Sequence, residues 1–172
     1  MSDLQRGGNV IVMRHASSPI DVPDKAAADL GNSTLERQLD GVGRKTAVAL
    51  GEALRELKIP IGLVISSPTY RALETIRLAQ LPTPIINDEL GDSSHSMQSA
   101  NASKAVWLRK QAALFPADNN TFIVTHSPNI NAAFPQYSMG LADGEALIFS
   151  SDGKGGSVLL ARIKIEDWSS LK

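Results

Sequence analysis

The feature that most constrains the fold is a short apolar run, Asn9-Val10-Ile11-Val12-Met13, that stops abruptly at Arg14-His15. A run this short, apolar on both faces and bounded by polar residues, is a buried strand rather than a helix. A strand buried on both faces needs neighbours reached by helical crossovers, and the chain supplies them. Asp40 can cap a helix from about Gly41 to Lys58, along which Val42, Ala49, Leu50, Ala53, Leu54 and Leu57 recur at helical spacing before Pro60 ends it. Ile61 to Ile65 reads as a second buried strand. Ser66-Ser67-Pro68 then opens a second helix, with Ala72, Thr75, Ile76 and Ala79 on one face and a proline where a missing N–H costs little. Pro84 to Ile86 is a weak third strand, Ala102 to Phe115 a helix, and Thr121 to Val124 a further strand with His126 just beyond it. Glu145 to Phe149 and Ser157 to Ile163 form a terminal hairpin around Asp152-Gly153-Lys154-Gly155-Gly156. The alternation predicts an α/β fold: three layers, α/β/α, with right-handed connections, a mainly parallel sheet and a terminal hairpin.

The 172 residues suit one domain spanning 1–172, with no internal repeat and no long linker. Hydrophobic residues at 42% and charged residues at 20% are ordinary globular usage. Seventeen basic against eighteen acidic residues give a net charge of −1, so no global field draws nucleic acid or a membrane surface. An anionic ligand must be held by a local cluster of positive groups. The absence of cysteine excludes disulfides, thiolate metal sites and a cysteine nucleophile. No apolar run is long enough to span a bilayer, and Met1 to Asn9 lacks the apolar stretch of a signal peptide. The expected location is cytoplasmic; a chain whose leader had been removed would read the same way, which leaves the periplasm open.

Polar residues gather where the strands end. Arg14-His15 follows the first strand, Ser66-Ser67 with Arg71 follows the second, and His126 follows the strand of residues 121–124. In open α/β sheets ligands bind outside the carboxyl ends of the strands, so two arginines and two histidines converge on one rim. Arginine offers a planar fork that matches phosphate oxygens. Histidine forms covalent intermediates that divide one hard step into two. Together they can stabilise a transferring phosphoryl group without a metal ion or any cofactor. Singly, each residue has a plainer reading: Arg71 could pair with Glu74 three residues on, and either histidine could satisfy a buried carbonyl. Zinc is not expected, because the three histidines form no close-spaced pair and the arginines would repel the ion. His95 reads as an exposed loop residue, Glu36-Arg37 as a solvated surface pair, and Trp107 and Trp168 as packing residues.

Several stretches resemble the histidine phosphatase superfamily, the phosphoglycerate-mutase-like proteins. Val12-Met13-Arg14-His15-Ala16 is similar to its Arg-His-Gly signature, and Ser66-Ser67-Pro68-Thr69-Tyr70-Arg71-Ala72-Leu73-Glu74-Thr75 to its Ser-Ser-Pro-x-x-Arg-Ala-x-x-Thr motif. Leu39-Asp40-Gly41-Val42-Gly43 resembles its Leu-Thr-x-x-Gly helix start, and Val124-Thr125-His126-Ser127 its late strand ending in Ser-His-Gly. The motifs keep the family's order across residues 10 to 130. The resemblance implies a phosphoglycerate-mutase-like fold and a metal-independent phosphatase in which His15 becomes phosphohistidine. Arg14, Arg71 and His126 would bind the phosphate, helped by the Ser67 hydroxyl or the Ser127 backbone N–H. The family's acid that protonates the leaving group maps to Asp92 by its spacing after Leu90 and to Glu89 by residue type. Ala16 replaces the usual glycine, and Ser17-Ser18 the Glu-Thr of the mutases. The short segment before Ala102 lacks the substrate-recognition insertions of larger members and brings the chain closer in size to the protein-phosphohistidine phosphatases. The expected partner is a phosphorylated small molecule or a phosphoprotein, with no nucleic acid and no membrane. The alternatives are a phosphoglycerate-type mutase and a non-catalytic module that binds a phospho-ligand.

Overall fold

A central strand buried on both faces is what β1 (Asn9–Arg14) becomes, and the sheet grows outward from it. The computed structural model describes residues 2–19, 36–92 and 98–171. Six strands form one sheet in the order β3-β2-β4-β1-β5-β6, where β2 is Ile61–Ser66, β3 Ile85–Ile86, β4 Asn120–Thr125, β5 Ala146–Ser151 and β6 Ser157–Ile163. The pairs β1–β4, β4–β2 and β2–β3 are parallel; β1–β5 and β5–β6 are antiparallel. The mainly parallel sheet and its terminal hairpin are therefore as expected.

Successive side chains on a strand point to opposite faces, and each face of β1 builds its own core. Ile11 and Met13 join Val64, Phe122 and Val124 beneath α2 (Gly41–Glu56) and α3 (Tyr70–Leu78). Val10 and Val12 join Ile65 and Ile123 beneath α4 (Gln98–Ala112) and α5 (Ser127–Ala133). These helices and the sheet are the three layers. Each fully buried leucine or isoleucine, such as Leu50 or Ile11, contributes about 2 kcal/mol of burial free energy.

Asp40 caps α2 as expected, its carboxylate accepting the Gly43 N–H at 2.6 Å. The apolar face is displaced from the expected one: Val42 is 64% exposed, while Gly43 and Ala47 face inward. Gly43 is at the contact because a Cβ there would lie 2.1 Å from the Ser17 carbonyl oxygen. A periodicity read only from bulky residues misses a helix face that packs through glycine. The first half of β2 is also more open than expected, with Leu63 39% exposed. The short helices α1 (Ser2–Arg6) and α5 were not evident in the sequence. Trp168, on a 3-10 turn at Ile165–Ser170, is fully buried against the α2 side; Trp107 is half-buried against the other core. Among the described residues, no helix is long and apolar enough to cross a membrane.

Candidate active site

The β1 ladder continues one residue past the strand, where the His15 N–H donates to the Thr125 carbonyl of β4 at 3.0 Å. Next along, the Ala16 N–H donates to Thr75 Oγ1 on α3 at 3.1 Å. These two bonds fix the His15 backbone between β4 and α3, and the residue is buried, with 3% exposure. His15 Nδ1 lies 2.8 Å from the Ala16 carbonyl oxygen. A carbonyl only accepts, so Nδ1 carries the proton and Nε2 keeps its lone pair. That lone pair accepts the Arg71 Nε–H at 3.1 Å.

Arg71, the second residue of α3, is fully buried. The helix start is anchored by Glu36, whose carboxylate accepts the Tyr70 N–H at 2.7 Å, and Thr75 Oγ1 donates back to the Arg71 carbonyl at 2.8 Å. So fixed, Arg71 Nη2 reaches Asp92 Oδ2 at 2.7 Å and His126 Nδ1 at 3.0 Å. A guanidinium only donates, so His126 Nδ1 accepts and its Nε2–H donates to Ser67 Oγ at 2.8 Å. The two histidine rings stand edge to face, 5.2 Å apart. Asp92 is delivered by a 3-10 turn at Asp88–Leu90, whose exit is held by Thr125 Oγ1 on the Leu90 carbonyl at 2.9 Å and Asn129 Nδ2 on the Gly91 carbonyl at 3.0 Å.

The electrostatics follow from burial beside arginine. His15 is pushed down to about 3, by loss of solvent first and by the Arg71 charge second. His126 lies well below its ordinary value for the same two reasons. Both rings are neutral near pH 7. Arg37 acts on both histidines in the same direction, so it too stands within electrostatic reach of the site; its guanidinium donates to the Ser18 and Pro19 carbonyls.

This burial has a consequence for stability. In the unfolded chain each histidine titrates near 6.5, so below that pH the unfolded state binds more protons than the folded one. The derivative of unfolding free energy with pH is then positive: the stability is fully present above about pH 6.5 and is lost as pH falls toward the lowered His15 value. We expect Tm to fall steadily between pH 6.5 and 4.5, above the range where carboxylates dominate, and His15→Asn to flatten that slope. Thermal melts followed by circular dichroism decide it; a wild-type Tm that does not change across this window would mean the rings are charged in the fold.

The structure thus brings His15, Arg71, Asp92, His126 and Ser67 together. Among the described residues, the carboxylate that meets Arg71 belongs to Asp92; Glu89 is half-buried and offers its backbone carbonyl to Asn129. The Ser67 hydroxyl faces His126, so its contact there orients a ring. Ser127 is the first residue of α5, with its hydroxyl accepting from Asn131 Nδ2 at 3.3 Å. Arg14 turns toward the rim loop: Nη2 is 2.6 Å from Asp143 Oδ1, and Nη1 donates to the Leu141 carbonyl at 3.0 Å. Glu36 and Arg37 are not the expected solvated pair. Glu36 is 1% exposed because its carboxylate anchors α3, and Arg37 points at the backbone of Ser18 and Pro19. His95 lies outside the described residues. Sequence reasoning missed Glu36, Arg37, Asn129 and Asp143; each acts through a tertiary contact that leaves no periodic signal.

The model of the histidine phosphatase superfamily (branch 1) matches residues 10–95. No curated protein matches the sequence. Solved structures similar to this one include the protein histidine phosphatase SixA complexed with tungstate, 16% identical over 92% of this chain and 98% of that one, with a TM-score of 0.63. A phosphoserine phosphatase variant from Entamoeba histolytica, in complex with phosphoserine, is 15% identical over 92% and 98%, with a TM-score of 0.63. The product of open reading frame Rv3214 from Mycobacterium tuberculosis is 17% identical over 91% and 97%, with a TM-score of 0.60. At these identities the likeness is one of fold.

Proposed function

The chain belongs to the histidine phosphatase superfamily and is an enzyme that hydrolyses phosphate esters; from that premise we propose that it works without a metal ion, through a phosphohistidine on His15. The observation that carries this reading is Arg71, which touches His15 Nε2, Asp92 and His126 at once. A phosphoryl group taken up by the Arg71 fork displaces its Nε–H from the His15 lone pair and frees the nucleophile. His15 Nε2 then bonds to phosphorus as the P–O bond to the leaving group breaks. The same phosphoryl group displaces Asp92 from Arg71, and the carboxylate, now facing an anion instead of a cation, takes up the proton that a phosphate monoanion brings and passes it to the leaving oxygen. Water attacks the phosphohistidine, Asp92 takes a proton from it, and inorganic phosphate leaves as His15 regains its lone pair. Arg71 and Arg14 supply the charge stabilisation that a metal supplies in other phosphatases, and neutral His126 holds the Arg71 fork in place.

The neutral state of His15 suits this chemistry, since a nucleophile must hold a free lone pair at working pH. Two substrate classes fit: a phosphomonoester such as phosphoserine, and a phosphohistidine on a protein, as the names of the two phosphatases of similar fold suggest. The proposed location is the cytoplasm.

One assay tests both the metal and the acid. Turnover of p-nitrophenyl phosphate and of an alkyl phosphate should continue in EDTA. Asp92→Asn should slow the alkyl ester by about 10²–10⁴-fold, and the aryl ester much less, because nitrophenolate leaves without a proton. Glu89→Gln should behave as wild type. Loss of activity in EDTA with recovery on adding Mg²⁺ or Zn²⁺ would overturn the metal-free reading, and a reversed pair of variants would move the acid to Glu89.

A further inference from the structure

Arg14 comes directly before the proposed nucleophile, yet its guanidinium is held from the other side of the rim. The loop that holds it follows α5 and leads into β5. Two backbone bonds tie this loop to the end of β1: Arg14 N–H to the Glu145 carbonyl at 3.1 Å, and Gly144 N–H to the His15 carbonyl at 2.9 Å. Glu145 is buried and braces the loop from within. One carboxylate oxygen accepts the Ala142 N–H at 2.9 Å and the other accepts Arg162 Nε at 2.8 Å. Arg162, from β6, also donates to the Met139 carbonyl at 3.1 Å. Gly144 has a φ of +69°, and a Cβ there would lie 2.7 Å from the Ile165 side chain, so no other residue fits without strain.

Between these fixed points Asp143 meets Arg14. The contact is 2.6 Å, a close ion pair whose angle falls short of an aligned hydrogen bond. An ion pair between mobile surface chains contributes little. Here both partners are part-buried, at 24% and 34% side-chain exposure, and both backbones are pinned. Leu141 supplies the second hold through its carbonyl on Nη1. Arg14 Nε remains: it is sealed from solvent and has no hydrogen-bond partner. A buried donor without a partner is costly, and an anion entering beside it removes that cost. With Nη1 and Nη2 held, Nε is the donor of the guanidinium left to meet one oxygen of a phosphate.

We propose that Asp143 is a positioning residue for phosphate: it holds Arg14 by Nη2 so that the Nε edge of the guanidinium is presented to a phosphoryl oxygen. This rests on the phosphatase reading of the rim. Asp143 touches no substrate in this arrangement and acts only through Arg14.

The test is a double-mutant cycle with two readouts, kcat/KM on p-nitrophenyl phosphate and the dissociation constant of inorganic phosphate by calorimetry. The variants are Asp143→Ala, Asp143→Asn, Arg14→Met, which keeps the aliphatic stem, and Arg14→Met with Asp143→Ala, each with its Tm. Asp143→Ala should weaken phosphate binding and kcat/KM by roughly ten- to a hundredfold. Asp143→Asn keeps the shape without the charge and should lose most of the same amount, because the contact is ionic. In the Arg14→Met background, Asp143→Ala should cost no more than about twofold. An Asp143→Ala enzyme within twofold of wild type, one that binds phosphate more tightly, or effects that add in the double variant would each overturn the proposal. The two readouts separate the readings. Coupling in phosphate affinity without ester turnover would sink the phosphatase reading and leave Asp143 in place. Turnover with additive effects would do the reverse.

Discussion

His15→Ala is expected to fold, to lose turnover by about 10⁴-fold or more, and to trap no phosphate. The loss follows from two features of the site. His15 Nε2 is the nitrogen left with a lone pair, because Nδ1–H is committed to the Ala16 carbonyl. Among the described residues, the other ring of lowered proton affinity beside Arg71 is His126, which bridges Arg71 and Ser67. A phosphoramidate is labile in acid and stable in base. Quenching wild type into base during turnover of a labelled ester should therefore leave label on the protein, and peptide mapping should put it on residue 15. Phosphate affinity of His15→Ala should persist through Arg14, Arg71 and His126. A fully active variant, or label on Ser17, Ser18 or Ser67, would end the phosphohistidine reading.

Arg71→Ala is the second large effect. Its guanidinium is fully buried and is bonded to His15, Asp92 and His126, so the substitution removes the group that joins them. We expect kcat/KM to fall by about 10²–10³-fold, the size seen when one preorganised donor to a developing charge is lost. Stability falls too, since the substitution breaks the ion pair that a fully buried guanidinium makes with Asp92. Arg71→Lys separates the two effects. It keeps a positive charge near Asp92 and should recover much of the Tm, but a point charge cannot reproduce the fork, so only part of the rate returns. Equal recovery of both would mean that Arg71 acts as a charge alone. Near-normal rates for Arg71→Ala would remove it from the phosphate site.

The sheet was legible because its central strands are short, apolar and cut off by polar residues. Asn9 to Met13 could be little else, and the arginine and histidine at its end follow from the rule that α/β sheets bind ligands at that rim. The Arg71 position was legible from a motif, which narrowed the acid to Asp92 or Glu89 and left that choice open. What stayed hidden has a common physical cause. Glu36 reads as a surface acid because nothing local tells that its carboxylate will meet the first N–H of a helix 34 residues on. Arg37, Asn129 and Asp143 are polar residues in polar stretches, and each gains its part from a partner distant in sequence. The α2 face was misjudged at Val42 because the packed side of that helix includes a glycine, which carries no hydrophobic signal.

The parallel pairing of β1 with β4 sets Val10 beside Thr121 and Arg14 beside Thr125. More than a hundred residues separate the partners, so the sheet centre closes late, after a large loss of chain entropy. His15 hangs from that seam by its bond to the Thr125 carbonyl, and His126 follows directly after it. The site therefore has no partial form. A growing chain that ends before β4 carries His15 and Arg71 but neither the Thr125 carbonyl that holds His15 nor His126, and Met13 and Val12 still lack Phe122, Val124 and Ile123 beside them. Such a chain therefore lacks the assembled site altogether rather than carrying a loosened version of it.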